Sequence, residues 1–305
     1  MHPSIPRPSS LTVLFILAAG VLAVSFGSIF VRLATEAAAV HSVGFSLVVS
    51  ALRLTLASLV LIPAWGALRR AKLGAGAWRY AILAGVFLAV HFATWITSIS
   101  YTSIAASVTL VNTNPIWVAL ISWVWLKQPP ARLTILGITV AFIGGLIIAL
   151  GGGSNPGPNP ALGNFLAVAG AVAVSFYFLL GREAQQRGFP IGLYAAVAYS
   201  AAALVLLPLP FLFGTPYLGY PTQAYAWILL MALIPQLIGH TSFNWAVRWV
   251  APVLVTLAIL FEPVGASLLA YFVFGELPGL QVLLGAGVLL VGVVAAVLGS
   301  RETPA

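Results

Sequence analysis

Residues 101–151 read YTSIAASVTLVNTNPIWVALISWVWLKQPPARLTILGITVAFIGGLIIALG: an apolar run carrying Asn112, Asn114 and Pro115, a break at Lys127-Gln128-Pro129-Pro130, then a glycine-dotted apolar run. Moved along by about 148 positions without a gap, the stretch falls on residues 249–299, WVAPVLVTLAILFEPVGASLLAYFVFGELPGLQVLLGAGVLLVGVVAAVLG. Pro115 then meets Pro263, Leu120 meets Leu268, Pro130 meets Pro278, Gly137 meets Gly285, Gly144 meets Gly292 and Gly151 meets Gly299. Asn114 meets Glu262, an acid near the middle of a long apolar run. Further upstream the agreement is looser: Val24-Ser25-Phe26 reads against Val174-Ser175-Phe176, and Arg32 against Arg182, at an offset of about 150. The chain is a duplicated unit, and that sets how everything else is read.

Composition gives the class. Hydrophobic residues make up 61%, charged residues 6%, and mean hydropathy is +1.09. Such a chain cannot cover a soluble surface and belongs in a bilayer. With no cysteine, disulfides and thiolate metal sites drop out. The +8 formal charge does not point to nucleic acid, because the basic residues sit singly in the gaps between apolar runs, as topology signals do.

Ten spans follow in order. They are Leu11–Ala34, Val43–Pro63, Tyr80–Ser98, Ser103–Leu126 and Leu133–Leu150, then Leu162–Gly181, Ile191–Phe213, Ala224–Trp245, Ala251–Phe274 and Gly279–Leu298. The first run is too long for the apolar region of a cleaved signal peptide and is kept as a span. Gly151 to Pro160 is rich in Gly, Asn and Pro, so the expected organisation is one five-helix repeat over residues 1–150, a loop over 151–160 and a second repeat over 161–305. With the N-terminus in the cytoplasm, the loops on that side receive Arg7, the group Arg69, Arg70, Lys72 and Arg79, then Lys127, Arg132, Arg182, Arg187, Arg248 and Arg301. The opposite loops receive at most Arg32. Both termini are therefore expected to be cytoplasmic. Five is an odd number, so the second repeat enters from the other side: the fold class is all-α integral membrane, ten helices in two inverted five-helix repeats.

Polar residues inside spans are costly, which makes them the candidates for function. Glu262 reads either as a proton-coupling or substrate-amine site, or as a neutral acid hydrogen-bonded across a helix interface. Pro115 and Pro263 remove backbone donors and are hinge candidates, the alternative being static kinks. Gln236, His240 and Asn244 stand at i, i+4 and i+8 on one helical face. His91, Trp95 and Ser98 form a similar face, and His91 falls within one position of His240 in the repeat. Ser107, Asn114 and Trp117 share another face, with Asn112 on its other flank. Trp95, Trp117, Tyr177 and Tyr199 could wall a pocket. The expected substrate-binding set is thus His91, Trp95, Asn112, Asn114, Trp117, Tyr177, Gln236, His240 and Asn244; interhelical hydrogen bonding, worth roughly 0.6–2 kcal/mol per contact, is the competing explanation. Arg53 has no acid nearby in sequence and is expected to snorkel or to bind backbone carbonyls in a structural role. No His-x-x-x-His pair or acidic cluster suggests a metal, and no cofactor is implied.

The two five-helix repeats, Ala51-Leu52-Arg53, the helices of Pro115 and Pro263, and Phe274-Gly275-Glu276-Leu277 together resemble the drug/metabolite transporter superfamily, in its EamA-type branch, which includes YddG-like amino-acid exporters. The first repeat has Lys127-Gln128 where the second has Gly275-Glu276, so the family's Gly-Glu signature occurs once. The resemblance implies a substrate cavity between the repeats and access that alternates between the two membrane faces. It points to a secondary transporter of the inner (cytoplasmic) membrane, lined by spans 1, 3, 4, 6, 8 and 9 and exporting amino acids or related small metabolites. Uptake of a nucleoside- or vitamin-like compound and efflux of cationic drugs stay open. No Gly-x-Ser-x-Gly elbow, phosphate loop or dinucleotide fingerprint supports an enzyme, and no selectivity motif supports a channel. The oligomeric state is open, a monomer being compatible with the sequence.

Overall fold

The computed structural model describes residues 8–102, 104–127, 129–150, 158–275 and 280–300. Among them the chain is helical and holds no strand. Arg7, Gln128, most of the 151–160 loop, Glu276, Leu277, Pro278, Gly279 and Arg301 lie outside the described residues, as does Ser103 at the start of the predicted fourth span. The elements are α1 Ser10–Ala38, α2 Val43–Val60, α3 Ala77–Ser98, α4 Ile104–Val111, α5 Asn114–Leu126, α6 Arg132–Leu150 and α7 Pro160–Gln186. They continue with α8 Ile191–Leu206, α9 Thr222–Met231, a π-helical segment Ala232–His240, α10 Thr241–Ala246, α11 Pro252–Ile259, α12 Glu262–Phe274 and α13 Leu280–Ser300. Local chemistry fixes several of the starts. Ser9, Ser42 and Asn159 cap α1, α2 and α7 by accepting from Thr12 N, Phe45 N and Leu162 N.

Seven stretches among the described residues are long and apolar enough to cross a membrane; three shorter apolar helices are Asn114–Trp125, Arg132–Ile147 and Leu283–Ala296. The predicted spans overlie these helices, and span 7 keeps its predicted bounds, Ile191–Phe213, with its last turn, Leu209–Phe213, in 3₁₀ form; four others need correction. Span 2 ends earlier as α-helix, at Val60, and is followed by a short 3₁₀ turn, Ile62–Arg69. Span 4 is interrupted at Asn112-Thr113 and span 9 at Leu260-Phe261, each just before the Pro115 or Pro263 that opens the next helix. Proline cannot donate into the preceding turn and fits the first turn of a new helix, so a break replaces the expected bend. Span 8 changes to π-helical pitch around Pro235.

Inside lipid there is no hydrophobic drive between helices, so packing relies on small residues and hydrogen bonds. α6 and α13 show this most fully. A Cβ on Gly137 would collide with the Ala296 backbone and one on Gly144 with that of Leu289; Gly292 meets Ala141 in the same way. The pairing runs in opposite senses along the two helices, which are therefore antiparallel. α3 packs on α7 and α8, where Gly85 lies against the Ala198 backbone. Further reciprocal contacts link the halves. Ser25 Oγ donates to Glu262 O at 3.5 Å, while Ser175 Oγ donates to Asn114 O at 3.2 Å. Gly20 packs on Phe243, and Gly170 packs on Thr94.

Candidate functional site

The interruptions at Asn112-Thr113 and Leu260-Phe261 and the π-helical turn of span 8 converge on one buried cavity of about 40 Å³. Its wall includes Arg53, His91, Trp95, Asn112, His240 and Glu262. The contributing helices are the six expected ones plus α2, which supplies Arg53. A cavity of this size admits water-sized occupants, whereas ligand pockets run to several hundred Å³. A substrate therefore requires the walls to part.

Two of the wall residues carry opposite formal charge. Glu262 is the first residue of α12, where a carboxylate complements the partial positive charge of the helix end. Arg53 is 1% exposed, donates from Nε to Gln236 Oε1 at 2.9 Å, and lays its guanidinium 4.1 Å from the Phe92 ring centroid. This overturns the expectation that Arg53 snorkels or binds backbone carbonyls. Its partner is 183 residues away in sequence, which is why no local signal marked it. Arg53 and Glu262 face the same cavity with no ion pair between them, and Arg53 Nη1 has no hydrogen-bond partner. Asn112 approaches the Glu262 carboxyl, but its Nδ2 makes no well-formed hydrogen bond.

The two histidines meet with ring centroids 6.3 Å apart. His91 is stacked on Trp95 at 5.9 Å, and its Nδ1 lies 3.0 Å from Gly170 O. A carbonyl only accepts, so that nitrogen carries the proton and Nε2 is the acceptor of the neutral ring. By the repeat, the matching partner of His240 would be Gly20 O. His240 Nδ1 instead is buried without a partner, among the rings of Phe92, Tyr177 and Phe243.

Tyr177, Gln236 and Asn244 lie behind the wall. Asn244 Nδ2 donates to Tyr177 Oη, Asn244 O accepts from Gln185 Nε2 at 2.7 Å, and Tyr199 Oη bonds Thr241 Oγ1 at 3.0 Å. These residues hold the wall in place instead of forming it. Asn114 and Trp117 also stand off the wall. Asn114 is buried with Oδ1 unpartnered, and Trp117 Nε1 donates to Thr113 Oγ1 at 3.0 Å. The helical-face argument for span 4 assumed a continuous helix; the interruption turns Asn112, not Asn114, toward the cavity.

The sequence profile of the EamA-like transporter family matches residues 10–150 and again residues 161–298. The chain belongs to the EamA-like transporter family. The family lies within the drug/metabolite transporter superfamily, and this member is a multi-pass membrane protein. It is 26% identical over 213 residues to a protein of Archaeoglobus fulgidus named "Uncharacterized transporter", covering 69% of this chain and 73% of that one. It is 27% identical over 186 residues to the "Probable terminal-alkyne amino-acid exporter" of Streptantibioticus cattleyicolor, covering 60% of this chain and 61% of the relative. A solved structure titled "Crystal structure of protein" superposes with a TM-score of 0.73 at 18% identity, over 97% of this chain and 100% of its own, which shows a shared fold. In this EamA-like transporter both matched segments supply cavity residues: Arg53, His91, Trp95 and Asn112 from the first, His240 and Glu262 from the second.

Proposed function

We propose that this EamA-like transporter is a ten-span secondary transporter of the cytoplasmic membrane, built of two inverted repeats with both termini cytoplasmic. It moves a small polar metabolite by alternating access, and export of an amino acid or a related compound is the favoured direction and cargo. The carrying observation is the cavity itself. A cationic and an acidic side chain face one space without pairing, beside unpartnered Arg53 Nη1, Asn112 Nδ2 and His240 Nδ1. Leaving buried polar atoms unsatisfied costs about 1–3 kcal/mol each, and a ligand carboxylate accepting from Arg53 Nη1 and Asn112 Nδ2 would recover that cost while Glu262 receives its ammonium group.

The reciprocal contacts support the inverted repeats. Ser25 with Glu262 and Ser175 with Asn114 exchange places under the repeat offset, as do Ala141 with Gly292 and Leu289 with Gly144. The antiparallel sense of α6 and α13 is what inversion requires, and such repeats give two related conformations that open to opposite faces. Named transporters among the relatives argue against an enzyme, and the amino-acid exporter name of one supports the cargo class.

The test is a thermal-shift screen of the purified protein against amino acids, nucleosides, polyamines and drug-like cations. A ligand of the folded state raises apparent stability by RT ln(1 + [L]/Kd), about 2.7 kcal/mol at a hundredfold excess over Kd. Stabilisation by amino acids, followed by their efflux from cells expressing the protein, is the expected outcome. Stabilisation by cations alone would replace this reading with cation efflux centred on Glu262.

A further inference from the structure

We propose a second binding site, distinct from the central cavity: a basic groove that holds the phosphate headgroup of an anionic phospholipid. The groove encloses about 1630 Å³ between the loop that follows α2 and the end of α7. Arg69, Arg70, Lys72, Arg187 and Arg248 line it, and among the described residues no acidic side chain does. Of its lining cations Arg187 is paired, with Glu183 at 3.5 Å. Arg187 is further held by donation from Nη1 to Ala75 O at 2.8 Å and lies over the Tyr80 ring; Arg248 lies over Trp249. Arg69, Arg70 and Lys72 are exposed and make no ion pair or side-chain hydrogen bond among the described residues. Three cations thus line one groove with no counter-charge among the described residues.

The groove is a fixed feature of the backbone. Gly74 N donates to Arg187 O at 2.8 Å, and Gly188, at φ +103°, is pressed so closely on Lys72 O that a Cβ there would collide with it. The left-handed backbone and the contact both call for glycine.

The neighbouring surface selects the ligand. The 3₁₀ turn Ile62–Arg69, which feeds the cations into the groove, buries none of its residues. Ile62, Trp65 and Leu68 are exposed on it, and Trp65 stacks with the exposed Trp78. Cations next in the chain to exposed apolar and tryptophan side chains, at the ends of apolar helices, match a headgroup beside acyl chains; a soluble anion would make no use of those apolar side chains.

Native mass spectrometry of the full chain in non-ionic detergent, titrated with phosphatidylglycerol, phosphatidylcholine or inorganic phosphate, tests the assignment. The expected result is one phosphatidylglycerol retained per chain, in clear preference to phosphatidylcholine. Each surface cation contributes roughly fivefold to binding an anionic headgroup, so the combined Arg69→Gln, Arg70→Gln and Lys72→Gln variant should bind about a hundredfold more weakly. The Arg69→Lys, Arg70→Lys variant keeps the charge and should keep the lipid. If the charge-conserving variant also loses it, or the neutral variant keeps it, the site is wrong. Equal retention of phosphatidylcholine, or displacement of phosphatidylglycerol by equimolar inorganic phosphate, would overturn the lipid assignment, the latter in favour of a soluble anion.

Discussion

His91 and His240 face each other across 6.3 Å, yet His91 Nδ1 is held by the Gly170 carbonyl while His240 Nδ1 is buried without a partner. A partnered ring contributes to the fold; an unpartnered one is available to a ligand. His91→Ala should therefore cost stability, about 1–2 kcal/mol for the lost hydrogen bond and its stacking on Trp95. His240→Ala loses ring contacts with Phe92, Tyr177 and Phe243 but no hydrogen bond, so it should cost less stability than His91→Ala while weakening a carboxylate ligand about tenfold, the worth of one hydrogen bond to a charged group. Thermal unfolding with and without ligand separates the two, and the opposite order of effects would reverse the assignment. Glu262 takes a different test, because its proposed role is titration. Arg53 from α2, His91 from α3 and His240 from the π-helical segment are the titratable or charged groups that share its cavity. Glu262→Gln keeps shape and hydrogen-bonding reach while removing the proton. Flux in proteoliposomes should fall at least about tenfold and lose its pH dependence, with the protein still folded. A pH profile that survives in this variant would move the coupling to the histidines.

At the scale of the helix, the positions of the long apolar helices were readable because their hydropathy is uniform, and Ser9, Ser42 and Asn159 mark three of the starts as caps. What happens inside them was harder to read. Asn112-Thr113-Asn114-Pro115 and Phe261-Glu262-Pro263 advertise a disturbance, but a proline at the first turn of a new helix and a proline kinking a continuous one leave the same mark in sequence. At the two breaks the structure shows tertiary contacts that a single sequence does not display, Ser175 Oγ donating to Asn114 O and Ser25 Oγ to Glu262 O. The π-helical turn at Pro235 was not legible either, since it is a shift of backbone hydrogen bonds and leaves hydropathy alone. Glycines were legible in purpose. Gly144 sits on the Leu289 backbone with no space for a side chain, so Gly144→Leu should force α6 and α13 apart and cost about 1–3 kcal/mol or more, seen as a lower unfolding temperature in detergent. The control is Gly287→Leu on α13, where a Cβ would meet nothing within 4 Å. Equal tolerance of both substitutions would remove the glycine contact as a source of cohesion.

For the whole molecule, the duplication was legible in the sequence, and the family profile matches the chain twice, whereas the pairing of Arg53 with Gln236 across 183 residues had no trace in the sequence. Long-range polar pairs inside a membrane protein are set by which helix faces meet, and one sequence does not record that. Orientation is the reverse case: it rests on the loop charges, which the sequence displays in full, and it has a direct test because the chain has no cysteine. A single introduced thiol is the protein's sole reactive one. Ala75→Cys lies in the exposed basic loop between α2 and α3, and Leu218→Cys lies in the loop between α8 and α9, where the leucine is 78% exposed. With cytoplasmic termini these loops are on opposite sides. A membrane-impermeant maleimide should label Leu218→Cys in intact cells and Ala75→Cys only after the membrane is opened. Labelling in the reverse order would invert the molecule and place the basic groove on the outer face. Labelling of both in intact cells would mean that the chain crosses the membrane a different number of times between them, and the odd-numbered repeat that makes the halves inverted would no longer hold.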